Sequence, residues 1–543
     1  MPLGKGFLVL LHMRSLTARL LAGTLVLAGL SGPALGATPA DTLVIANTID
    51  DLKVLDPAES FEFSGGDAIN NIYRKLVELD PKTLKPGPGV AASWSVGGDG
   101  RVFTFKIAPG QVFASGNPLT ADDVVFSLRR IVKLDKTPSF IISQFGLTKD
   151  NVDRTIRKVD DATVEIETDK PYAPTFLYNA LTADVASIVD MKTVMENESG
   201  GDMGNEWLKT HSAGSGPYML RAWKPNESVL LEVNPKWPEA PAMKRIFVRH
   251  VAEPATQRLL LERGDVDIAR NLTPEDVASV QGNAALKVVD EPRGRIYYLS
   301  GNQKYEPLAK PGVMQAIKYL VDYDGMASSF LKGQVIPQQN FLPVGFLGAV
   351  DDKPFKLDVA KAKEMLTQAG YPNGFDVEIL VRNDQQRLAI AQSLQNTLGQ
   401  AGIRVSIKAA TGSEVLSIYR ARNAQLTLEA WGPDYPDPNT NASVFASNEN
   451  NSDEGNLVGN LAWRNAYAAT ETTPLVAQSV VEQDEAKRVE LYHRMQEISR
   501  NSSPFVMMFQ QIAQNAMAKD VEGFNSGGAV SSAFYYVVTK AAK

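Results

Sequence analysis

The sequence contains no cysteine. This excludes disulfides, thiolate nucleophiles and cysteine-built metal centres, and it rules out a lipid-anchored form. Histidine is scarce. His12, His211, His250 and His493 lie far apart and form no His-x-x-x-His pair, so a zinc hydrolase has no obvious ligand set. There is no basic excess either. The formal net charge is −7, and the first 36 residues hold Lys5, Arg14 and Arg19 but no acid, which leaves −10 for the remainder. Nucleic acid is therefore not an expected partner. The apolar run Leu20 to Leu30 is too short to cross a bilayer, and no other segment qualifies. No Gly-x-Ser-x-Gly elbow occurs. Ser329 and Lys332 fit a Ser-x-x-Lys spacing, but no Lys-Thr-Gly follows. Asn450 to Leu461 has the outline of a calcium loop, yet Leu461 stands where the bidentate glutamate is needed. Nothing selects a carboxylate pair for glycoside hydrolysis. The sequence calls for no cofactor and no metal.

What is present reads as a soluble globular protein. The 543 residues suffice for two or three domain-sized cores, at 44% hydrophobic and 22% charged composition. Residues 1–36 follow the charged, apolar, small-residue order of a secretory signal. Met13 is the better start, and cleavage falls near Gly36 or Ala37. The alternative is an uncleaved anchor.

The densest local signal is Ala91 to Arg130. Trp94 to Val96 reads as a strand, and Gly97-Gly98-Asp99-Gly100 as a hairpin turn. Phe103, Phe105 and Ile107 alternate as a buried face. Thr120 and Asp123 have the spacing of a capping box, followed by Val124, Val125, Leu128 and Ile131 at helical spacing. Elsewhere, Leu43 to Ala46 predicts an opening strand and Asp67 to Leu79 a helix. Gly214 and Gly216 suit a tight bend. Leu259, Leu260 and Leu261 are expected to pack, with Gly264 ending their helix. Beyond Tyr297 to Asn302 the pattern turns regularly α/β. Helices are expected at Val313 to Leu320, Gly325 to Lys332, after Asp358, and along Leu388 to Leu398. Strands are expected at Phe375 to Val381, Ile403 to Ile407, Leu426 to Ala430 and Phe505 to Gln511. Asn439 to Asn460, rich in Asn and Ser, reads as loop.

The Ala91–Arg130 block, together with Leu55-Asp56-Pro57-Ala58, Gly214 to Trp237 and Arg258 to Ile268, resembles the extracellular solute-binding proteins of family 5. These are the peptide, dipeptide and oligopeptide receptors of bacterial ABC importers. Ser115-Gly116-Asn117 stands where the family commonly has Asp-Gly-Thr. The resemblance covers essentially the whole mature chain. It implies an α/β fold of two lobes with a hinge and an extra subdomain inserted in the first lobe. The implied limits are 37–300 for lobe I, about 72–210 for the insertion, 301–508 for lobe II, and 509–543 for the return to lobe I. It also implies a non-enzymatic, monomeric periplasmic receptor that delivers a short peptide to membrane permease subunits. Other solutes of the class are glutathione, an opine, a nickel complex, haem or an oligosaccharide. A secreted hydrolase is the alternative from another class.

The resemblance also points to site residues. Asp434, in Trp431-Gly432-Pro433-Asp434-Tyr435-Pro436-Asp437-Pro438, leaves the end of a predicted strand, where α/β lobes place ligand groups. At the matching family position an aspartate pairs with the ligand's α-ammonium group; the alternative is a turn cap. Asp437 reads as structural. Trp431 is either a cleft wall or a packed strand end. Arg382 is a candidate clamp for a ligand carboxylate, and Arg387 a weaker one. Phe140, Phe145, Glu62 and Phe63 are candidate contacts from the first lobe, with core packing as the alternative for the two former.

Overall fold

Two long strands cross the molecule and hold it together. Leu286–Gly301 pairs antiparallel with Phe505–Ala518 from Leu286↔Ala518 to Ser300↔Phe505. They lie at the centre of an 11-stranded sheet. On one side the order continues through Ile268–Ala269, Thr42–Asn47, Arg245–His250, Ser228–Val233 and Tyr218–Lys224; on the other through Leu426–Trp431, Asp376–Arg382 and Arg404–Ala410. Each side has a parallel group. Thr42–Asn47 runs parallel to both its neighbours, and Asp376–Arg382 does the same. Parallel strands are buried on both faces, and each half accordingly carries two apolar clusters. The computed structural model describes residues 38–97, 99–528 and 532–541. The signal-like segment lies outside the described residues.

The Ala91–Arg130 block folds as its pattern predicts. Ala91–Gly97 and Val102–Ile107 form the hairpin, and with Thr163–Glu167 and Ile156–Asp160 they make a separate four-stranded sheet. Phe103 and Phe105 are wholly buried there. Asp123 accepts the Thr120 N–H at 2.9 Å, closing the capping box of helix Ala121–Leu134. That helix ends near Arg130, whose guanidinium grips Asp56 of the Leu-Asp-Pro-Ala turn at 2.8 and 2.5 Å. Two motifs distant in sequence are thus joined by one buried ion pair. Gly214 and Gly216 are required for close approach and not for a positive φ, since a Cβ on either would collide with the Ile72 carbonyl.

Several expectations are corrected. The helix predicted over Asp67 to Leu79 is Phe63–Ile72. It stops because Tyr73 turns extended and the following residues pair as short strands with Ser187–Ile188 and Pro86–Pro88. Of the three leucines in helix Pro254–Arg263, only Leu261 is buried, while Leu259 faces solvent. The helix expected at Gly325 to Lys332 is Tyr323–Ser328, begun by Asp322 accepting the Gly325 N–H. The supposed loop Asn439 to Asn460 opens with helix Asn439–Phe445, whose first turn buries Asn439, Thr440 and Asn441. Polar composition hid it, because those side chains are turned inward.

A second tie joins the two halves. Asp437 and Arg488 form a buried bidentate pair at 2.7 and 2.9 Å. Asn179 donates to the same Asp437 at 3.2 Å, and Arg488 donates to Thr175 at 3.2 Å; both lie on or at the start of helix Pro174–Ala180, beside the four-stranded sheet. Asp437 is structural, as its setting in the sequence indicates. Replacing Arg488 with Met strands a buried carboxylate, and removing one partner of such a pair costs about 3–5 kcal/mol. Chemical denaturation should show that loss, and Asp437→Asn added to Arg488→Met should recover part of it.

Candidate functional site

The strand Leu426–Trp431 alternates its side chains. Leu426, Leu428 and Ala430 pack toward one apolar cluster, and Trp431 toward another. Gly432-Pro433 then ends the strand, and the chain is pinned on both sides of Asp434. The Asp434 N–H donates to Thr440 Oγ1 at 3.1 Å. Tyr435 enters the core of the four-stranded sheet, 6.2 Å from the Phe176 ring, with its hydroxyl 3.2 Å from Gln144 Oε1. Asp437 is locked by Arg488. The Asp434 carboxyl itself has no hydrogen-bond or ion-pair partner among the described residues.

It faces a cavity of about 350 Å³ between the two halves of the molecule. Ser60, Phe61, Glu62, Gly66, Ile69, Asp184 and Ser532 close one side; Tyr298, Arg382, Tyr419, Glu429 to Asp434 and Arg464 close the other. Burial pushes the Asp434 carboxyl up to about 7, with no cation nearby to hold it down.

The remaining predicted residues divide. Trp431 lines the cavity and packs edge-on against Phe445 at 6.4 Å, its indole N–H buried without a partner. Arg382 also lines it, but Nε is held by Glu429 at 2.6 Å. Glu429 is shared with Arg387 at 3.5 Å, so Arg382 is not the uncommitted clamp its position suggested. Arg387 additionally pairs with Asp384 at 2.7 Å. Glu62 lines the cavity at the start of helix Phe63–Ile72. The Phe63 side chain lies outside the described residues. Phe140 is exposed and stands edge-on to Phe61 at 6.0 Å; its neighbours Pro138 and Ile141 line the cavity in its place. Phe145 is a core residue and not a contact: it is fully buried between Tyr172 at 5.1 Å and Phe176 at 4.8 Å.

Sequence reasoning missed Tyr298, Tyr419 and Arg464. Tyr298 stands in the crossing strand, within the stretch beyond which the pattern turns regularly α/β, but nothing in the local sequence marks the other two. The Ser-x-x-Lys spacing is a turn away from the cavity, with the Ser329 hydroxyl donating to the Gly325 carbonyl at 2.5 Å. Among the described residues no group of acids and histidines could hold a metal ion, and no helix is long and apolar enough to cross a membrane.

The model of the bacterial extracellular solute-binding proteins, family 5, matches residues 85–453. The chain belongs to this family. It is 29% identical to the probable D,D-dipeptide-binding periplasmic protein DdpA of Escherichia coli (strain K12), over 94% of this chain and 96% of that one. It is 25% identical to the dipeptide-binding protein of the same organism, over 83% and 86% of the two chains. In fold it matches the ABC transporter-associated periplasmic binding protein DppA from Helicobacter pylori, solved in complex with the peptide STSA. That match has a TM-score of 0.78 at 24% identity, covering 92% of this chain and 98% of the other. The expected two-lobe α/β fold is therefore the observed one.

A raised carboxyl value has a definite sign. The folded protein holds the Asp434 proton more tightly than the unfolded chain does, so the empty protein loses stability as pH climbs from the ordinary carboxylate range, about 4, through about 7. Asp434→Asn should melt higher than the parent at pH 8 and equally at pH 4, measured by thermal unfolding without ligand.

Proposed function

We propose that this protein is the periplasmic receptor of an ABC importer and that it captures a short peptide by its α-ammonium group at Asp434. The carrying observation is a carboxyl that lines an interlobe cavity, without a cation, on a loop fixed at both sides. A desolvated ammonium needs a charged partner, and Asp434 is a half-buried acid lacking one. The relatives support the same reading, since the two from Escherichia coli are a probable D,D-dipeptide-binding protein and a dipeptide-binding protein. Trp431 would form a wall of the site, with Glu62 at the opposite side. Peptide contact with both lobes favours the closed arrangement, because a ligand shifts such an equilibrium only through its differential affinity. We assign lobe I to 37–300 with the insertion at about 72–210, lobe II to 301–508, and the return to 509–543. The receptor would act as a monomer, without catalysis, and pass its cargo to the membrane permease subunits.

Thermal shift of the mature protein tests this. Di- to pentapeptides at about a hundredfold Kd should stabilise it by about 2.7 kcal/mol, and N-acetylated forms of the same peptides should not. Binding requires ionised Asp434, so affinity should fall about tenfold per pH unit below about 7, and Asp434→Asn should abolish that dependence. Stabilisation only by oligosaccharides or nickel chelates would overturn the peptide assignment.

A further inference from the structure

A second cavity, of about 510 Å³, lies against the central ladder where its pairing is interrupted. Arg293 and Arg295 line it from the interruption between Pro292 and Ile296, and Gln511 to Asn515 line it from the facing strand. Asn47, at the end of strand Thr42–Asn47, forms a wall on one side of the ladder; Phe330 and Gln386 form a wall on the other. Among the described residues it shares no lining residue with the cavity at Asp434. Its polar groups are not saturated. Asn47 is only 8% exposed, yet its carboxamide makes no hydrogen bond among the described residues. Gln514 donates Nε2 to Asp290 at 3.1 Å, but its Oε1 is buried without a partner, as is Oδ1 of Asp51. The buried Arg293 guanidinium donates to the Ser526 carbonyl and has no carboxylate within ion-pair distance among the described residues. Burial, and then the charge of Arg270, lower it to about 10.

The mixed character of these groups selects the ligand. Asn47 offers a donor and an acceptor, Arg293 offers donors, and Gln514 and Asp51 offer acceptors. An inorganic anion only accepts, and it would meet the carboxylates of Asp51, Asp67 and Glu275 on the same walls. An ammonium only donates, and it would meet Arg270, Arg293 and Arg295. A hydroxyl does both, and a neutral molecule carrying several of them is repelled by neither set. Phe330, 38% exposed, adds an aromatic face on which the C–H side of a sugar ring can pack. The volume falls within the ordinary range of ligand pockets. We propose that the cavity on the ladder is a second ligand site, separate from the one at Asp434, and that it takes a neutral, hydroxyl-rich solute of mono- or disaccharide size. Its occupant touches both sides of the ladder and the loosened strands between them. The proposal does not draw on the peptide reading.

Titration calorimetry of the mature protein tests this, with glucose, N-acetylglucosamine and trehalose as probes and with inorganic phosphate and alanyl-alanine beside them. At least one sugar should bind saturably, at one site per chain. Asn47→Ala and Phe330→Ala should each weaken that sugar by about fivefold, the effect of one lost hydrogen bond or apolar contact. Asp434→Asn should leave its affinity within about twofold, because Asp434 lies in the other cavity. Phe330 is partly exposed, so its variant decides even if Asn47→Ala fails to fold. Binding of no sugar, or of phosphate in preference to every sugar, overturns the proposal. So does sugar binding that Asp434→Asn removes and Phe330→Ala leaves intact, which places the sugar in the other cavity. Failure of alanyl-alanine to bind counts against the peptide reading alone.

Discussion

The antiparallel ladder between Leu286–Gly301 and Phe505–Ala518 is the constraint on which the cleft depends. Both strands are long enough to belong to both lobes, so the lobes share a sheet and their strand ends open toward a common space. The ladder is interrupted between Pro292 and Ile296 and again between Tyr297 and Tyr298. Pro292 has no N–H to give, and irregular pairing of this kind bends and twists a strand. The gap is patched from the side, where Gln510 Nε2 donates to the Arg293 carbonyl at 2.9 Å. A ribbon that is continuous at both ends and loosened in the middle can flex there without losing register. Tyr298, just beyond the second irregularity, is the ladder's own contribution to the cavity wall.

The lobes meet a second time around Asp437. Beside its pair with Arg488, the Ala173 N–H donates to the Val480 carbonyl at 2.8 Å, and Gln483 Nε2 donates to the Pro171 carbonyl at 2.8 Å. Tyr435 sits in the same seam. The loop that carries Asp434 is thus fixed at its base by strand pairing and beyond it by a core tyrosine and a buried ion pair. A site held by its surroundings loses little freedom on binding, and more of the contact energy then appears as affinity. The order of Trp431, Asp434, Tyr435 and Asp437 along seven residues gives each a different task because the backbone aims each in a different direction.

Much of the fold was legible because its signals are local. Phe103 and Phe105 alternate into a core, Thr120 and Asp123 close a helix start, and Gly264 ends another with a φ of 77°. What escaped depends on partners distant in sequence. Helix Phe63–Ile72 stops where the next residues find strand partners near residues 187 and 87, which periodicity cannot foresee. The helix at Asn439 is built from polar residues whose partners lie across the lobe, such as the Phe341 carbonyl that Asn441 reaches at 2.6 Å. In the site, Asp434 could be singled out by its motif and its strand end. Arg382 lines the cavity at its strand end, but its pairing with Glu429 needed the parallel alignment of two strands 47 residues apart. Phe145 failed as a contact for the complementary reason: an aromatic near a cleft and an aromatic in a core read alike in one dimension.

Asp434 and Asp437 show how charge balance separates function from architecture. They are the same residue type, three positions apart on one loop. Asp437 is fully buried, yet two guanidinium nitrogens, an amide and a backbone N–H satisfy it. It stabilises the fold and has no capacity left for a ligand. Asp434 is less buried but unanswered, and the protein bears that cost whenever the cavity is empty. Arg488 and Arg464 repeat the contrast in the opposite sign: both are buried, one is paired with a carboxylate and the other holds only a carbonyl and an aromatic face. A fold selected for stability alone would have neutralised both remaining groups, as it did the other two. Both unpaired groups line the same cavity, whereas the paired two tie the seam between the halves of the molecule.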